Sequence, residues 1–232
     1  MPAYNEAATV ERALAAVLAT PQEKEVILVD DGSTDGTREI VSRLGEENRE
    51  VQVIVHQRNQ GKGAAVRSAL AAATGDVVLI QDCDLEYDPS DYGKLLEPIE
   101  KGEADVVYGT RSFGSHTAFS FWFVMGNKLV TLATNVLFNC YISDMETCYK
   151  VMRLDVARQL RLTARGFELE PQITGGLLNL GHQIYEVRVN YRARTREEGK
   201  KLAWTDGVRA ILTLCLVRLR RNRDRRRAGL SV

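Results

Sequence analysis

Short apolar runs alternate with longer segments of helical apolar spacing along the first half of the chain. The apolar runs predict strands at 26–29, 51–55, 77–81 and 105–109. The segments between them predict helices at about 5–19, 37–44, 61–74 and 90–100. Strands this short and apolar are typical of sheets covered on both sides. The pattern therefore predicts an α/β fold with a mostly parallel sheet and helices on both faces.

The second half of the chain has a different pattern. Residues 118–142 are rich in large apolar and aromatic side chains, but Gly126, Asn127 and Lys128 interrupt them. This interruption favours a pair of surface helices over a membrane span. Further helices are predicted at 154–162, 170–180 and 202–221, and a strand at 184–191. We expect one domain over 1–205, followed by an amphipathic helix and a basic, arginine-rich tail over 206–232.

The beginning of the chain does not fit a doubly wound sheet, which normally opens with a strand before its first loop. Residues 1–6 contain no apolar run of four or more. We therefore expect the first strand to be missing. Either the sheet lacks a central strand, or the natural start lies upstream of Met1.

Composition limits the class of protein. With 232 residues, 44% of them apolar, the chain is long enough to bury one substantial core. Its formal net charge is zero, yet 218–227 contains seven arginines and one aspartate, a net of +6. The four cysteines lack zinc-ligand spacing and indicate free thiols. No signal peptide or transmembrane run is visible, so we expect a cytoplasmic protein, either free or peripheral on the cytoplasmic face of a membrane.

An acidic loop follows the strand predicted at 77–81. Asp82 and Asp84 stand one residue apart, at the edge of the sheet where ligands bind in open α/β folds. Two hard oxygen ligands suit Mg²⁺ or Mn²⁺ carrying a diphosphate, because magnesium completes its shell with water and phosphate oxygens. The pair alone is equally consistent with a capped turn before a helix.

Seven segments, taken together and in order, resemble the family 2 glycosyltransferases. They are similar above all to the branch that makes dolichyl- or polyprenyl-phosphate mannose and glucose. The segments are 2–6, 29–37, 59–63, 81–85, 109–111, 144–150 and Arg194 with 198–201. The resemblance implies the GT-A fold, a Rossmann-like, mixed but mostly parallel sheet that binds nucleotide-diphosphate sugars.

The resemblance also implies roles for individual residues. Asp82 and Asp84 match the family's metal-binding pair, which holds Mg²⁺ or Mn²⁺. The implied catalytic residues are Asp84, Asp144, Arg111 and Arg194. The implied donor-binding residues are Pro2, Tyr4, Glu6, Asp31, Gln81, Asp82, Cys83 and Lys200.

Several of these residues have a physical rationale of their own. The ring of Tyr4 can stack on a base, and Glu6 and Asp31 can accept hydrogen bonds from ribose or ring N–H groups. Asp35 is better explained as a residue at the start of a helix. Cys83 is better explained as a small space-filling residue than as a ligand, because Mg²⁺ and Mn²⁺ prefer oxygen.

The resemblance implies an inverting transfer of one hexose from GDP-mannose or a UDP-hexose to polyprenyl or dolichyl phosphate. Arg111 and Arg194 match arginines that grip phosphate, which the planar guanidinium binds bidentately. A phosphate acceptor needs no base, so Asp144 would position groups. A hydroxyl acceptor would need Asp144 or Glu146 as base. Glu168 stands where some mannosyltransferases carry lysine, which leaves the donor open.

Two other functions remain open at this point. One is a family 2 transferase acting on a soluble hydroxyl acceptor, and the other is a nucleotide-sugar-binding subunit without turnover. The apolar segment 118–142 and the clustered arginines favour an anionic membrane surface as partner. The alternatives are that the apolar segment packs on the domain itself or on a second copy of the chain, with the arginines solvated, or that it meets a membrane-protein partner. No nucleic-acid partner is expected, because aromatic residues are not interleaved with the arginines.

Overall fold

The computed structural model describes residues 1–111, 121–166, 168–193 and 204–227, and the side chains at 122, 123, 204, 205 and 221–227 are outside this description. The strands are β1 (Pro2–Ala3), β2 (Val26–Asp30), β3 (Val51–Val55), β4 (Val77–Leu79), β5 (Val106–Thr110), β6 (Lys150–Arg153) and β7 (Tyr185–Arg188). The helices are α1 (Val10–Leu18), α2 (Thr37–Glu47), α3 (Lys62–Ala72), α4 (Tyr92–Glu100), α5 (Phe121–Phe138), α6 (Leu154–Gln159), α7 (Leu169–Leu180) and α8 (Trp204–Arg227).

The strands form two groups. In the first group the order is β1-β2-β3, and both pairings are parallel. In the second the order is β4-β6-β5-β7, where β6 runs antiparallel to both of its neighbours and β7 is parallel to β5. The predicted α/β fold with a mixed, mostly parallel sheet is therefore confirmed. The antiparallel strand β6 was not predicted, because a lysine and an arginine enclose its two apolar residues.

A short strand is present at the beginning of the chain, where the sequence pattern shows none, while the expectation of a natural start upstream of Met1 stays a prediction. Pro2 and Ala3 form β1 and pair in parallel with Val29 and Asp30 of β2. A strand of two residues is too short to produce a periodic pattern, so the sequence did not reveal it.

Helices cover both faces of the first group of strands. Val26 and Leu28 of β2 belong to the main core, which also contains Leu14 of α1 and Val41 of α2. The alternate residues Ile27 and Val29 pack into a separate cluster with alanines of α3. Because successive strand residues point to opposite faces, the two clusters show that helices lie on both sides, as predicted.

Helices α5 and α8 pack together on α7 at one side of the molecule. Their inner faces share an apolar cluster that includes Val130, Phe138, Leu214 and Val217. In the described part of 118–142 there is one helix of 18 residues rather than the predicted pair, because the segment 126–128 continues the helix. Across the described residues, no helix combines the length and the apolar character needed to cross a bilayer.

Candidate active site

The loop after β1 is fastened to the loop after β2. The Asn5 amide donates to Ser33 Oγ at 3.0 Å, and the Thr34 amide donates to Asn5 Oδ1 at 3.0 Å. Asn5 has a φ of 54°, a left-handed conformation that asparagine tolerates better than most residues. The side chain of Tyr4 remains 36% exposed. The two loops thus form one wall of the site, with an aromatic side chain that solvent reaches.

Asp35 and Glu6 are held within this wall. Asp35 accepts hydrogen bonds from the Thr37 amide at 3.1 Å, the Thr37 hydroxyl at 2.5 Å and the Ala7 amide at 3.2 Å. Burial alone would raise the pKa of Asp35, but these donors lower it. Its predicted role at the start of α2 is confirmed. Glu6 accepts a hydrogen bond from the Thr9 hydroxyl at 2.7 Å, and its contact with a nucleoside stays a prediction.

Asp31 organises the loop that precedes α3. Its buried carboxylate accepts hydrogen bonds from the Gln60 amide at 3.0 Å and the Gly61 amide at 2.7 Å. Nδ1 of His56 lies 2.7 Å from Asp31 Oδ1. These contacts give Asp31 a role in positioning the loop, whereas its predicted contact with a nucleoside stays a prediction.

The glycines beside Lys62 allow a close approach of two chain segments. Gly61 has a φ of 91°, and a Cβ there would overlap the carbonyl oxygen of Arg165. The Gly63 amide donates to the same carbonyl at 2.8 Å. The glycine turn therefore positions Lys62 by packing against the segment before α7.

Lys62 joins two carboxylates at the centre of the site. Its ammonium lies 2.8 Å from Asp82 Oδ2 and 2.9 Å from Glu170 Oε1. The side chains are mostly buried, with 19% of Lys62, 22% of Asp82 and 8% of Glu170 exposed. Burial alone would lower the pKa of Lys62, but the negative charges of Asp82 and Glu170 raise it well above its ordinary value. The lysine is therefore a fixed positive charge next to the acidic loop.

The same electrostatics act on Asp82. Burial alone would raise its pKa, but the charge and hydrogen bond of Lys62 lower it. Asp82 is therefore ionised at neutral pH, and its carboxylate already forms an ion pair with the Lys62 ammonium.

Gln81 and Cys83, which are predicted to bind the donor, have buried side chains that support the acidic loop. Gln81 is buried, and its side-chain oxygen accepts hydrogen bonds from the hydroxyls of Tyr92 at 2.8 Å and Tyr149 at 2.7 Å. Its amide nitrogen donates to the carbonyl oxygen of Asp82 at 2.9 Å. Cys83 is buried in the main core, and burial raises the pKa of its thiol to about 12. Both side chains face the protein interior and hold the acidic loop in place, and their predicted contact with the donor stays a prediction.

Asp84 shapes the acidic loop while remaining partly accessible. One oxygen accepts a hydrogen bond from the Glu86 amide at 3.1 Å, and Leu85 between them has a φ of 60°. Among the described residues, no three histidine, cysteine, aspartate or glutamate side chains are gathered as a metal site. Two carboxylates nevertheless suit Mg²⁺ or Mn²⁺, which take one or two protein oxygens and complete their shell with water and phosphate. The carboxylates of Asp82 and Asp84 are therefore of the right chemical type for the predicted ion, and their role as its ligands stays a prediction.

Arg111 and Asp144 form a buried bidentate pair. Arg111 Nε lies 2.7 Å from one Asp144 oxygen and Nη2 lies 2.8 Å from the other, while the Arg111 amide donates at 3.2 Å. Asn127 of α5 donates to the same carboxylate at 3.1 Å. Burial alone would raise the pKa of Asp144, but Arg111 lowers it. The two predicted catalytic residues are thus brought together, and Asp144 acts on Arg111 rather than standing ready to take a proton.

Tyr191 connects this pair to the acidic loop. The Arg111 guanidinium lies 5.0 Å from the centre of the Tyr191 ring, in a cation–π arrangement. The Tyr191 hydroxyl donates to Glu86 Oε2 at 2.8 Å, and the Arg192 amide donates to the Glu86 carbonyl at 2.8 Å. The carboxylates of the acidic loop and the guanidinium of Arg111 therefore share one edge of the sheet.

Arg194 and Lys200 lie outside the described residues, and their phosphate contacts stay predictions.

Glu146 is the second candidate base. Burial first, and then the charge of Glu170, raise the pKa of Glu146 to about 7. Lys150 lies nearby and is fully buried, and its ammonium donates to the carbonyl oxygens of Met145 and Thr147. Glu146 thus has the pKa of a group that can exchange a proton near neutrality.

The sequence did not reveal the lysine bridge or the supporting groups. The local pattern marks Lys62 only as part of a glycine turn, and Asn127 only as a polar interruption in an apolar segment. No local pattern distinguishes Tyr191 from other strand residues. A lysine between two glycines ahead of a helix was an available signal, but its partner Glu170 lies more than a hundred residues away in the chain.

Comparison with known proteins agrees with this geometry. The family model described as glycosyl transferase family 2 matches residues 1–161. The chain is 30% identical over 227 residues to a dodecaprenyl-phosphate galacturonate synthase of Rhizobium johnstonii, covering 94% of this chain and 64% of the relative. It is 27% identical over 205 residues to an undecaprenyl-phosphate 4-deoxy-4-formamido-L-arabinose transferase of Pseudomonas aeruginosa, covering 86% of this chain and 58% of the relative. The chain thus spans about three fifths of the length of these relatives.

Solved structures share the fold. Glucosyl-3-phosphoglycerate synthase from Mycobacterium tuberculosis with bound UDP superposes with a TM-score of 0.72 at 23% identity, covering 94% of this chain and 78% of that chain. The same enzyme with Mn²⁺, UDP and glucosyl-3-phosphoglycerate gives a TM-score of 0.70 at 22% identity, covering 93% of this chain and 77% of that chain. At this identity the likeness establishes the GT-A architecture. With a family match over more than half of its length, the chain belongs to glycosyl transferase family 2.

Proposed function

We propose that this chain transfers a hexose from a nucleotide-diphosphate sugar to the phosphate of a polyprenyl phosphate, with inversion at the anomeric carbon. The observation that carries the proposal is the shared edge that brings Asp82, Asp84 and Arg111 together, linked through Tyr191 and Glu86. This arrangement offers carboxylates for a metal-bound diphosphate and a guanidinium for a phosphate within one site.

On the donor side, Asp82 and Asp84 would hold Mg²⁺ or Mn²⁺. The ion would neutralise the charge that develops on the leaving diphosphate. Tyr4 offers a ring for the base, while Pro2, Glu6 and Asp31 lie in or beside the same wall. Crystals of the structural relative contained UDP with Mn²⁺ in one case and with Mg²⁺ in another, which supports a divalent ion and favours a UDP-sugar over GDP-mannose.

On the acceptor side, Arg111 would grip a phosphate. Arginine has five N–H donors, and the side-chain pair with Asp144 uses two of them, which leaves three outside this pair. Asp144 fixes the guanidinium plane, so the fork is preorganised for an anion. A phosphate oxygen is already negative at neutral pH and attacks without a base, which agrees with an Asp144 committed to Arg111. The names of the relatives from Rhizobium and Pseudomonas support a polyprenyl phosphate as acceptor.

The test is a transfer assay with a panel of nucleotide sugars, with and without polyprenyl phosphate, scored for lipid-linked sugar. Asp84→Ala should reduce transfer at least about a hundredfold without unfolding the protein, because the leaving diphosphate loses a metal ligand. Asp88→Asn is the matched control, since Asp88 is exposed in the same loop and should leave transfer near the wild-type rate. Full activity of Asp84→Ala in excess Mn²⁺ would refute the metal assignment, and nucleotide binding without any transfer would favour a binding subunit.

A second function is supported by Glu146. A soluble hydroxyl acceptor would need a base, and a carboxyl with a pKa of about 7 suits that task. The structural relative is named for a soluble product, glucosyl-3-phosphoglycerate. Glu146→Gln separates the two functions. Transfer to a phosphate acceptor should persist within about threefold, whereas transfer to a hydroxyl should fall about a hundredfold or more.

A further inference from the structure

Helices α5 and α8 are apolar on both of their sides. Their inner sides pack into the cluster around Val130 and Leu214. Their outer sides carry nine large apolar residues that are between 43% and 73% exposed. These outer residues are Phe121, Met125, Leu129, Leu132 and Val136 of α5, and Val208, Leu212, Leu216 and Leu219 of α8. An exposed apolar face of this size normally marks a contact with a partner or a membrane, so the outer sides call for a partner.

The outer residues follow one helical face on each helix. Their spacing is four, four, three and four residues on α5, and four, four and three on α8, which keeps each set on one side. A Cβ at Gly207 would lie 3.7 Å from Val130, and the Arg218 guanidinium lies 5.6 Å from the Phe138 ring. The two helices therefore run side by side in the same direction. The nine residues, called here the outer face, amount to several hundred Å² of apolar surface, on the order of the largest patches that monomers expose or above.

The charge on these two helices is strongly positive. Together α5 and α8 contain nine lysines and arginines and two aspartates, a net charge of +7, whereas the whole chain has a net charge of zero. The remainder of the protein is therefore negative by the same amount. An anionic surface would attract the side with α5 and α8 and repel the rest, which fixes an orientation.

We propose that the outer face of α5 and α8 docks on an anionic lipid bilayer, with its apolar residues in the interface and the arginine-rich end of α8 on the headgroups. Apolar contact combined with basic residues is the chemistry of interfacial helices. A second copy meeting the same face would bring two surfaces of +7 together, which favours the bilayer as occupant.

Docking in this orientation would place the active site at the membrane. Asn127, on α5 itself, donates a hydrogen bond to Asp144, so the site and the outer face are carried by the same helix. The phosphate of a polyprenyl phosphate lies at the bilayer surface, within reach of a site held there. In this respect the inference rests on the proposed function, while the contact with lipid can be measured without any donor or acceptor.

The experiment is flotation of the full chain with vesicles of phosphatidylcholine alone, or of equal parts phosphatidylcholine and phosphatidylglycerol. The wild-type protein should float with the anionic vesicles at low salt. Leu129→Ser combined with Leu212→Ser should weaken binding about thirtyfold, because two half-exposed leucines no longer enter the interface. Tyr185→Ser is the matched control, because Tyr185 is 46% exposed on β7 and should leave binding unchanged.

Three outcomes would overturn the docking. They are no flotation of the wild-type protein, equal flotation of the double variant, or a wild-type dimer in sedimentation that the double variant abolishes while vesicles bind neither protein. Failure of the proposed function is a separate result. Vesicle binding without transfer of sugar counts against the transferase and leaves the docking intact. Transfer to a short, water-soluble prenyl phosphate without vesicle binding counts against the docking and leaves the transferase function intact.

Discussion

Replacing Lys62 with methionine tests the centre of the site most directly. The substitution keeps an unbranched side chain of similar length but removes the ammonium that lies 2.8 Å from Asp82 and 2.9 Å from Glu170. Glu170 then loses the partner of Oε1, and among the described residues Oε2 has no hydrogen-bond partner. The variant therefore leaves a buried carboxylate without its direct ion-pair partner.

The expected cost follows from burial. Removing one partner of a buried ion pair typically destabilises a protein by about 3–5 kcal/mol. Asp82 keeps 22% exposure and can recruit water, so most of the cost comes from Glu170, which is 8% exposed. We expect Lys62→Met to lower the free energy of unfolding by about 4 kcal/mol. Glu170→Gln should lower it by only about 1 kcal/mol, because Lys62 keeps Asp82 as partner.

The double variant decides whether the two residues act together. Lys62→Met with Glu170→Gln should cost about 2 kcal/mol, less than the first change alone, which gives a coupling energy of about 3 kcal/mol. Urea unfolding followed by circular dichroism in the presence of a chelator measures all four proteins and prevents a divalent ion from replacing the ammonium. Lys101→Met is the control, since its pair with Glu97 is exposed to solvent and its loss should leave the free energy of unfolding close to the wild-type value.

Additive losses of unfolding free energy in the single and double variants would refute the interaction between Lys62 and Glu170. If the double variant equals the sum of the single changes within about 0.5 kcal/mol, Lys62 and Glu170 do not share a buried interaction. The same conclusion would follow if Lys62→Met cost no more than Lys101→Met.

Three further predictions concern other parts of the site. Asp144→Asn should lower the free energy of unfolding by about 3–5 kcal/mol, because Arg111 would stay buried without its anion. A loss under about 1 kcal/mol in urea unfolding would contradict a buried ion pair between Arg111 and Asp144. Glu146 has a folded pKa of about 7, raised from 4.5, so its neutral form adds stability that is complete below about pH 4.5 and lost as pH rises through about 7. Wild-type unfolding energy should therefore fall by about 3 kcal/mol relative to Glu146→Gln between about pH 4.5 and about pH 8, and parallel profiles would disprove the shift. In thermal unfolding, Gly61→Ala should lower the free energy of unfolding by about 3 kcal/mol and Gly36→Ala by about 1 kcal/mol. Both glycines have positive φ, but of the two only Gly61 faces a backbone carbonyl. Equal losses in the two variants would disprove that contact.

Much of the fold was readable from the chain because it rests on local patterns. The strands at β2 and β3 and the helices at α3 and α4 appear within a few residues of their predicted bounds. Hydrophobic periodicity is a property of neighbouring residues, so it survives without tertiary information. The two strands that were misjudged, β1 and β6, are short and enclosed by polar residues, and only pairing with their neighbours makes them strands.

The candidate site likewise contains residues that a local pattern reveals and residues whose orientation only the packing decides. Asp82 and Asp84 stand out because a local rule places residues after a strand at the ligand-binding edge of the sheet. The rule does not distinguish a residue that faces the ligand from one that faces the core. Gln81 and Cys83 stand in the same loop, and only the packing of Tyr92 and Tyr149 turns Gln81 inward.

The sequence by itself determined the α/β class, the acidic loop and the order of motifs that marks a family 2 glycosyltransferase. These depend on residue type and spacing, which the chain carries locally. Only the tertiary structure decided the partners of the charges, including Lys62 with Glu170 and Arg111 with Asp144. A buried charge is stabilised by whichever opposite charge the fold brings within reach, and that partner lies far away in the chain. The same holds for the outer face of α5 and α8, since the pattern showed that these segments are apolar, but only packing showed which side stays exposed.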